Sequence, residues 1–344
     1  MSIMMKNKKP TFIDLFSGAG GMHRGFVDSG YESLFSVEIW QPAIKTLRRN
    51  YPDINLYDDD IRKLKQDKIS ELLHGRECDV VVGGPPCQGF STIGKRLAKD
   101  PRNELVFEFI RMVDTIRPKV FLMENVRGLL SANKGEMREI IISEFKTIGY
   151  SRTISQVLCA ADYGVPQNRY RVFFLGIRDG YKLDYEIEFP KPLEDNVTVG
   201  DSIMDLLGKE NKVPNHVPMK HNKIVVERIK CIPEGSGIPK EGLPNAVAYG
   251  SRSDYSNNKI KNFSHVYKRL DRNKAATTMV PGHNAFPLHP VADRSLTVRE
   301  AARLQTFPDD VIFEGNRQEQ CIQVGNAVPV KLASKLAKQI NKYL

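Results

Sequence analysis

The stretch Thr11-Phe12-Ile13-Asp14-Leu15-Phe16-Ser17-Gly18-Ala19-Gly20-Gly21 decides the fold. Thr11 to Phe16 reads as a short strand. The glycines after it allow a tight turn and a close approach of ligand to backbone. A helix through Phe26 then offers free N–H groups at its start. Strand, glycine turn and helix in that order open a nucleotide-binding α/β sheet. The dinucleotide pattern Gly-x-Gly-x-x-Gly does not fit, because the third glycine falls out of place. A second strand, Leu34 to Val37, ends at Glu38, about 20 positions after the turn, where an acid is placed to accept ribose hydroxyls.

The same design recurs at Val80-Val81-Val82-Gly83-Gly84-Pro85-Pro86-Cys87-Gln88-Gly89-Phe90-Ser91. Three valines read as a strand buried on both faces. Gly-Gly-Pro-Pro stops the strand and rules out an immediate helix. Cys87 therefore lies in a loop just past a buried strand's C-terminal end, where open α/β sheets bind ligands. A lone cysteine is usually a small inert core residue. Here two prolines fix the backbone ahead of the sulfur, and Gly89 allows close approach behind it.

Lys119 to Met123 is another buried strand, ending at Glu124-Asn125-Val126. A carboxylate there is either a helix-opening acid or a catalytic group, and Cys87 on a nearby strand end favours the second. Between these strands, Ser91 to Asn103 is a loop of Gly, Lys and Arg, a composition suited to a mobile segment facing a polyanion. Leu105, Phe109, Met112, Val113 and Ile116 follow at helical spacing. Asn55 to Tyr57 reads as a short strand before the acidic turn Asp58-Asp59-Asp60-Ile61. Thr153 to Cys159 reads as a further strand. Tyr163 to Arg171 leads into the strand Val172 to Ile177. Arg169 and Arg171 alternate, so their side chains are expected on one face, able to hold a carboxylate, a phosphate or a base oxygen.

From about Tyr181 the periodicity weakens, and Pro, Gly, Asn and Lys become frequent. It returns at Ser295, where Thr297-Val298-Arg299-Glu300 is a capping box opening a helix. The expected division is 1–180, 181–294, and a C-terminal segment 295–344 that carries a support helix and returns to the first domain.

Chain length, 344 residues, suits one large domain and a smaller one. No apolar run approaches the roughly 18 residues of a membrane span. The first ten residues lack the apolar core of a secretory signal. Five scattered cysteines with no Cys-x-x-Cys pair argue against disulfides and zinc, and for a reducing compartment. The net charge is +10. From Asn215 to Lys274 there are 12 basic and 5 acidic residues, a net +7. A polyanion such as nucleic acid is the functional reading of that excess.

Pro85-Pro86-Cys87-Gln88 resembles the nucleophile motif of the cytosine carbon-5 DNA methyltransferases, of the bacterial restriction-modification type. Phe16-Ser17-Gly18-Ala19-Gly20-Gly21 resembles their Phe-x-Gly-x-Gly-Gly motif. Glu124-Asn125-Val126, Gln167-Asn168-Arg169-Tyr170-Arg171, the run Leu296 to Pro308, and Gly325-Asn326-Ala327-Val328-Pro329 match further motifs in the family's order. The matches leave out about Asp184 to Lys274, where the family carries its variable target-recognition region and where this chain concentrates its charge.

The resemblance implies a Rossmann-like α/β sheet for S-adenosylmethionine-dependent methyl transfer, with a smaller, mostly irregular or β target-recognition domain. It implies S-adenosylmethionine as cofactor, S-adenosylhomocysteine as product and no metal. It places Phe16, Gly18, Gly20, Glu38, Ile39, Asp60, Ile61, Pro86, Leu105, Asn326 and Val328 at the cofactor. Ile39, rather than Trp40, holds the adenine-packing place. Cys87 is the nucleophile toward cytosine carbon 6, Glu124 serves ring nitrogen 3, and Arg171 with Arg169 binds the base oxygen and orients Glu124. The base must be flipped out of the duplex, and the Ser91 to Asn103 loop could close over it.

Double-stranded DNA is the implied partner. A cognate restriction endonuclease would act on the same site without being a stable subunit. The expected enzyme is a monomer in the cytoplasm of a bacterial or archaeal cell. Two other readings stand beside it. The transfer-RNA branch of the family carries a Cys-Phe-Thr triplet, which is absent here. A catalytically inactive DNA-binding relative would be expected to have lost Cys87, Glu124 or the glycine turn, and all are present.

Overall fold

The computed structural model describes residues 9–86, 104–131, 135–183, 185–193, 196–239, 243–244, 246–247, 266–280 and 286–344. Cys87 and the Ser91 to Asn103 loop lie outside the described residues, as do residues 240–242, 245 and 248–265 of the basic stretch between Asn215 and Lys274. In chain order the elements are β1 (Thr11–Leu15), α1 (Gly21–Val27), β2 (Glu32–Val37), α2 (Gln41–Asn50), β3 (Leu56–Tyr57), α3 (Gln66–Leu73) and β4 (Val80–Gly83). Then come α4 (Glu104–Ile116), β5 (Val120–Val126), α5 (Met137–Thr147), β6 (Arg152–Cys159), β7 (Gln167–Asn168), β8 (Tyr170–Ile177), α6 (Val199–Ile203) and α7 (Lys223–Lys230). β9 (Ala276–Thr277), α8 (Val298–Leu304), α9 (Arg317–Asn326) and α10 (Val330–Ile340) follow.

Two compact units emerge. The first holds Met1–Cys159, Tyr170–Pro192 and Val330–Leu344; the second holds Ala160–Arg169 and Leu193–Pro329. These bounds differ from the 180/181 and 294/295 divisions expected from composition. Hydrogen bonds explain the difference. The Tyr181 hydroxyl donates to the Leu344 carbonyl, and the Glu188 amide donates to the Tyr343 hydroxyl, so both residues stay with the first unit. Gln167 and Asn168 pair in parallel with Ala276 and Thr277, which draws the ten residues Ala160–Arg169 into the second.

The first unit is built on a seven-stranded sheet in the order β3-β2-β1-β4-β5-β8-β6. β1 to β5 run parallel, and β8 runs antiparallel to both β5 and β6. The order reverses between β1 and β4, so a ligand crevice opens at the C-terminal ends of those strands. Val80, Val81 and Val82 are fully buried, as a strand covered on both faces requires. On one face Ile13, Leu15, Val81, Phe121 and Met123 join Phe109, Met112 and Val113 of α4 in the main core. Each such fully buried side chain contributes about 1.5–3 kcal/mol. On the other face Phe12 packs with the rings of Phe26 and Tyr31. There α1 and α10 touch closely: a Cβ on Gly25 would collide with that of Ala333, and the Tyr31 hydroxyl donates to the Ala337 carbonyl at 3.0 Å.

The second unit contains short helices and the two-stranded sheet of β7 and β9. Ile229, Ile232, Tyr267 and Leu288 form a small core within it. The capping box at Thr297 and Glu300 is formed, with each side chain accepting the other's backbone N–H.

Candidate active site

At the glycine turn, backbone geometry departs from the ordinary. Phe16, Gly18 and Gly20 take φ values of +59°, +54° and +84°. For phenylalanine this left-handed conformation costs of order 1–3 kcal/mol, and such strain concentrates at ligand sites. A Cβ on Gly20 would stand 3.0 Å from Leu47, whereas one on Gly18 would meet open space. The Gly18 N–H donates to Glu38 Oε2 at 2.7 Å, and Glu38 Oε1 accepts from Ile39 N–H at 2.9 Å and Trp40 N–H at 2.8 Å. Glu38 thus ties the end of β2 to the turn after β1. Burial holds its carboxyl above the usual range, and the three N–H groups draw it back in part.

Asp14 lies just before this turn, fully buried, and neither carboxylate oxygen has a hydrogen-bond partner among the described residues. Burial pushes it up to about 8, and the charge of Glu38 adds to the effect. The Ser17 hydroxyl and the His23 amide oppose this in part, but the Ser17 hydroxyl donates to the Asp14 backbone carbonyl at 2.8 Å rather than to the carboxylate. His23 is itself driven down to about 4 by burial, so it is neutral. Among the described residues neither Asp14 nor Glu38 has a cationic partner. A partly buried carboxyl at the turn, with a fully buried one behind it, suits a ligand that offers hydroxyls, such as S-adenosylmethionine. Both disfavour the pyrophosphate of a dinucleotide.

Around the turn, Ile39 is 57% exposed and Trp40 half-buried. Asp60 follows β3, caps the helical turn Ile61–Lys63 and pairs with Arg62, which holds its carboxyl below the usual range. The Ile61 side chain is buried in the main core, and Leu105 is packed partly against that core. Pro86 is exposed.

The edge of the sheet that carries Glu124 is built from β4, β5 and β8. A Cβ on Gly83 would lie 2.5 Å from the Leu15 carbonyl, and one on Gly84 3.0 Å from Glu124 Oε2. Only glycine therefore lets the segment before Cys87 run against Glu124. The Asn125 side chain donates to the Pro85 carbonyl at 3.1 Å in a buried bond. Arg171 Nε lies 2.9 Å from Glu124 Oε1, with both side chains largely shielded from water. Glu124 is thereby fixed beside the Pro85-Pro86 backbone.

The expectation for Arg169 needs correction. It and Arg171 do not alternate on one strand, because the chain passes from β7 of the second unit to β8 of the first between them. Arg169 is buried in the second unit, where it donates to the carbonyls of Met279 and Asn326. Gln305 holds the same turn, donating to Val324 and Ala327 carbonyls, and Gln167 donates to Gln305. Asn326 is exposed and Val328 buried on that turn. Asp14 was not singled out from sequence; its signal was a lone acid inside an otherwise apolar strand.

Comparison with known proteins decides the family. A model of C-5 cytosine-specific DNA methylases matches residues 10–342. The chain belongs to that family. This methyltransferase is 40% identical to the type II methyltransferase M1.HphI of Haemophilus parahaemolyticus, over 96% of this chain and 87% of the relative. It is 35% identical to M.DdeI of Desulfomicrobium norvegicum, over 96% and 88%. Among solved structures it resembles a prophage-encoded E. coli protein described as a DNA modification methyltransferase, with a TM-score of 0.78, 28% identity and coverage of 97% and 99%. The methyltransferase thus acts on cytosine carbon 5 of DNA with S-adenosylmethionine as methyl donor. Among its described residues no helix is long and apolar enough to cross a membrane, and no group of three metal-ligating side chains occurs.

Proposed function

We propose that the chain is a type II modification enzyme that methylates one cytosine in a short duplex sequence, with Cys87, Glu124 and Arg171 as its reacting groups. The observation that carries this reading is the Glu124–Arg171 pair set against Gly84, Pro85 and Pro86, directly before Cys87. The Cys87 thiolate adds to carbon 6 of a flipped base and leaves once carbon 5 has lost its proton. Glu124 holds or protonates ring nitrogen 3, and Arg171 fixes the carboxyl and offers N–H donors to the base oxygen. Arg169 supports the Asn326 turn from within its own unit. S-adenosylmethionine supplies the electrophilic methyl group. Glu38 is suited to its ribose hydroxyls, exposed Ile39 to one adenine face, and Asp60 and Ile61 to the adenine end. Phe16, Gly18, Gly20, Pro86 and Leu105 complete the cofactor's surroundings within the first unit.

In this reading the first unit holds cofactor and chemistry, and the second reads DNA through its basic segment. The enzyme works as a cytoplasmic monomer beside a restriction endonuclease of the same specificity. The test is incubation of purified protein with duplex DNA and S-adenosylmethionine, followed by base-resolution mapping of methyl groups. Carbon-5 methylation at one recurring sequence is expected. Methylation of adenine or of a cytosine amino group, or none at all, would overturn the reading.

A further inference from the structure

At the C-terminal end of β5 the chain leaves the sheet in the open. Val120 through Asn125 are buried, and Val126, Arg127 and Gly128 are then exposed in succession. β8 begins beside them with Tyr170, which is 45% exposed. The Arg127 guanidinium lies over the Tyr170 ring, 5.6 Å from its centroid. Consecutive strand residues leave opposite faces. Arg171 therefore serves Glu124 on one face while Tyr170 supports Arg127 on the other.

Arg111, Arg117 and Arg152 of the first unit donate to carboxylates or carbonyls. Arg127 makes no ion pair or hydrogen bond among the described residues; its ring contact is what holds it. Such a contact occupies the guanidinium's face and leaves its in-plane N–H fork for an acceptor. A planar fork of this kind matches two oxygens of a phosphate. A Cβ on Gly128 would meet nothing within 4 Å, so the adjoining space is open. Arg127 is three residues past Glu124 and opens the helical turn Arg127–Ser131 that follows β5, so the two backbones are at most about 10 Å apart. Phosphates of one DNA strand advance about 3.4 Å per nucleotide. The fork is therefore within about three nucleotides of a base held at Glu124.

We propose that Arg127, steadied by Tyr170, binds a backbone phosphate of the substrate DNA close to the target cytosine. The inference rests on DNA as the substrate. Arg127 acts as a positioning residue: it anchors the strand while the base is turned out.

The test is a titration of a fluorescent duplex carrying the mapped site against wild type and Arg127→Gln, between 50 and 200 mM salt, the range over which phosphate contacts weaken markedly. The slope of log affinity against log salt should fall by about 1 for Arg127→Gln, and affinity should drop about tenfold. KM for DNA should rise by more than kcat falls, with the methylated sequence and the calorimetric affinity for S-adenosylmethionine retained. Tyr170→Leu keeps the charge and should lose affinity with a smaller change of slope, whereas Tyr170→Phe, which keeps the ring under Arg127, should keep the wild-type slope. An unchanged slope and affinity in Arg127→Gln would overturn the proposal. So would an equal loss of S-adenosylmethionine affinity, which would mark a distorted sheet edge. The titration does not require methyl transfer. A slope change in a protein that methylates nothing would support the phosphate contact and sink the catalytic reading instead.

Discussion

Arg171 Nε and Glu124 Oε1 lie 2.9 Å apart, and the register of β5 against β8 sets that pair by placing Arg171 opposite Val126, two residues beyond Glu124. The ion pair is thus built into strand pairing rather than left to two flexible side chains. Glu124→Gln should lower kcat by about 10²–10⁴, the range for losing a positioned proton donor. Arg171→Leu should also destabilise the fold, by about 3 kcal/mol, because it strands a shielded carboxylate. Single-turnover kinetics and urea unfolding separate the two effects. Equal kcat in wild type and Glu124→Gln would remove Glu124 from the chemistry.

Duplex DNA with 5-fluorocytosine at the target should trap the enzyme. Fluorine cannot leave carbon 5 as a cation, so Cys87 should remain bonded to carbon 6. The adduct should survive denaturing gels, need S-adenosylmethionine and vanish in Cys87→Ser. Mass-spectrometric mapping to Cys78 or Cys159 would refute the assignment. Both are buried, and burial raises the Cys78 thiol far above its usual range.

Glu38→Ala should weaken S-adenosylmethionine binding by about 1–3 kcal/mol, the cost of a lost charged hydrogen bond. Part of the loss would come from releasing the Gly18 turn, which Glu38 holds directly. Calorimetry on free enzyme measures it. An unchanged dissociation constant would leave Glu38 as a fold tie alone.

Asp14 predicts a pH dependence of a definite sign. Its ordinary value is 3.8, and in the folded chain it is pushed up to about 8, mainly by burial. Below pH 4 it is neutral in both states. As the pH rises toward 8 the unfolded chain ionises first, and folded stability falls by up to about 1.4 kcal/mol per pH unit. Asp14→Asn should therefore gain on wild type steadily from pH 5 to pH 8 in ligand-free urea melts. A constant difference across that range would contradict the burial argument.

Much of the site was legible because it sits at strand ends. Val80 to Val82 announced a doubly covered strand, and Glu124 stood at the end of another. The glycine turn and Glu38 were legible for the same reason. The Arg169–Arg171 relation was not, since period-two alternation is blind to a chain that leaves one sheet between two residues. The pairing of Gln167 with Ala276 spans more than a hundred residues and leaves no local trace. Residues 181–192 read as belonging to the second unit by composition, yet hydrogen bonds from Tyr181 and Glu188 to Leu344 and Tyr343 hold them in the first. Asp14 was hidden because one acid in a strand says nothing about which partners it lacks.

The contact of α1 with α10 has a consequence for biosynthesis. α1 emerges from the ribosome early, but its Gly25 surface waits for Ala333, and Tyr31 waits for Ala337. At about 5–20 residues per second the gap between them amounts to roughly 15–60 s of translation. During that time the first sheet has one flank uncovered, and its apolar side chains are open to chaperones. An abortive product ending before Val330 would carry Cys87, Glu124 and Arg171 yet lack the helix that closes this flank. Such fragments should be cleared by proteolysis rather than modify the genome.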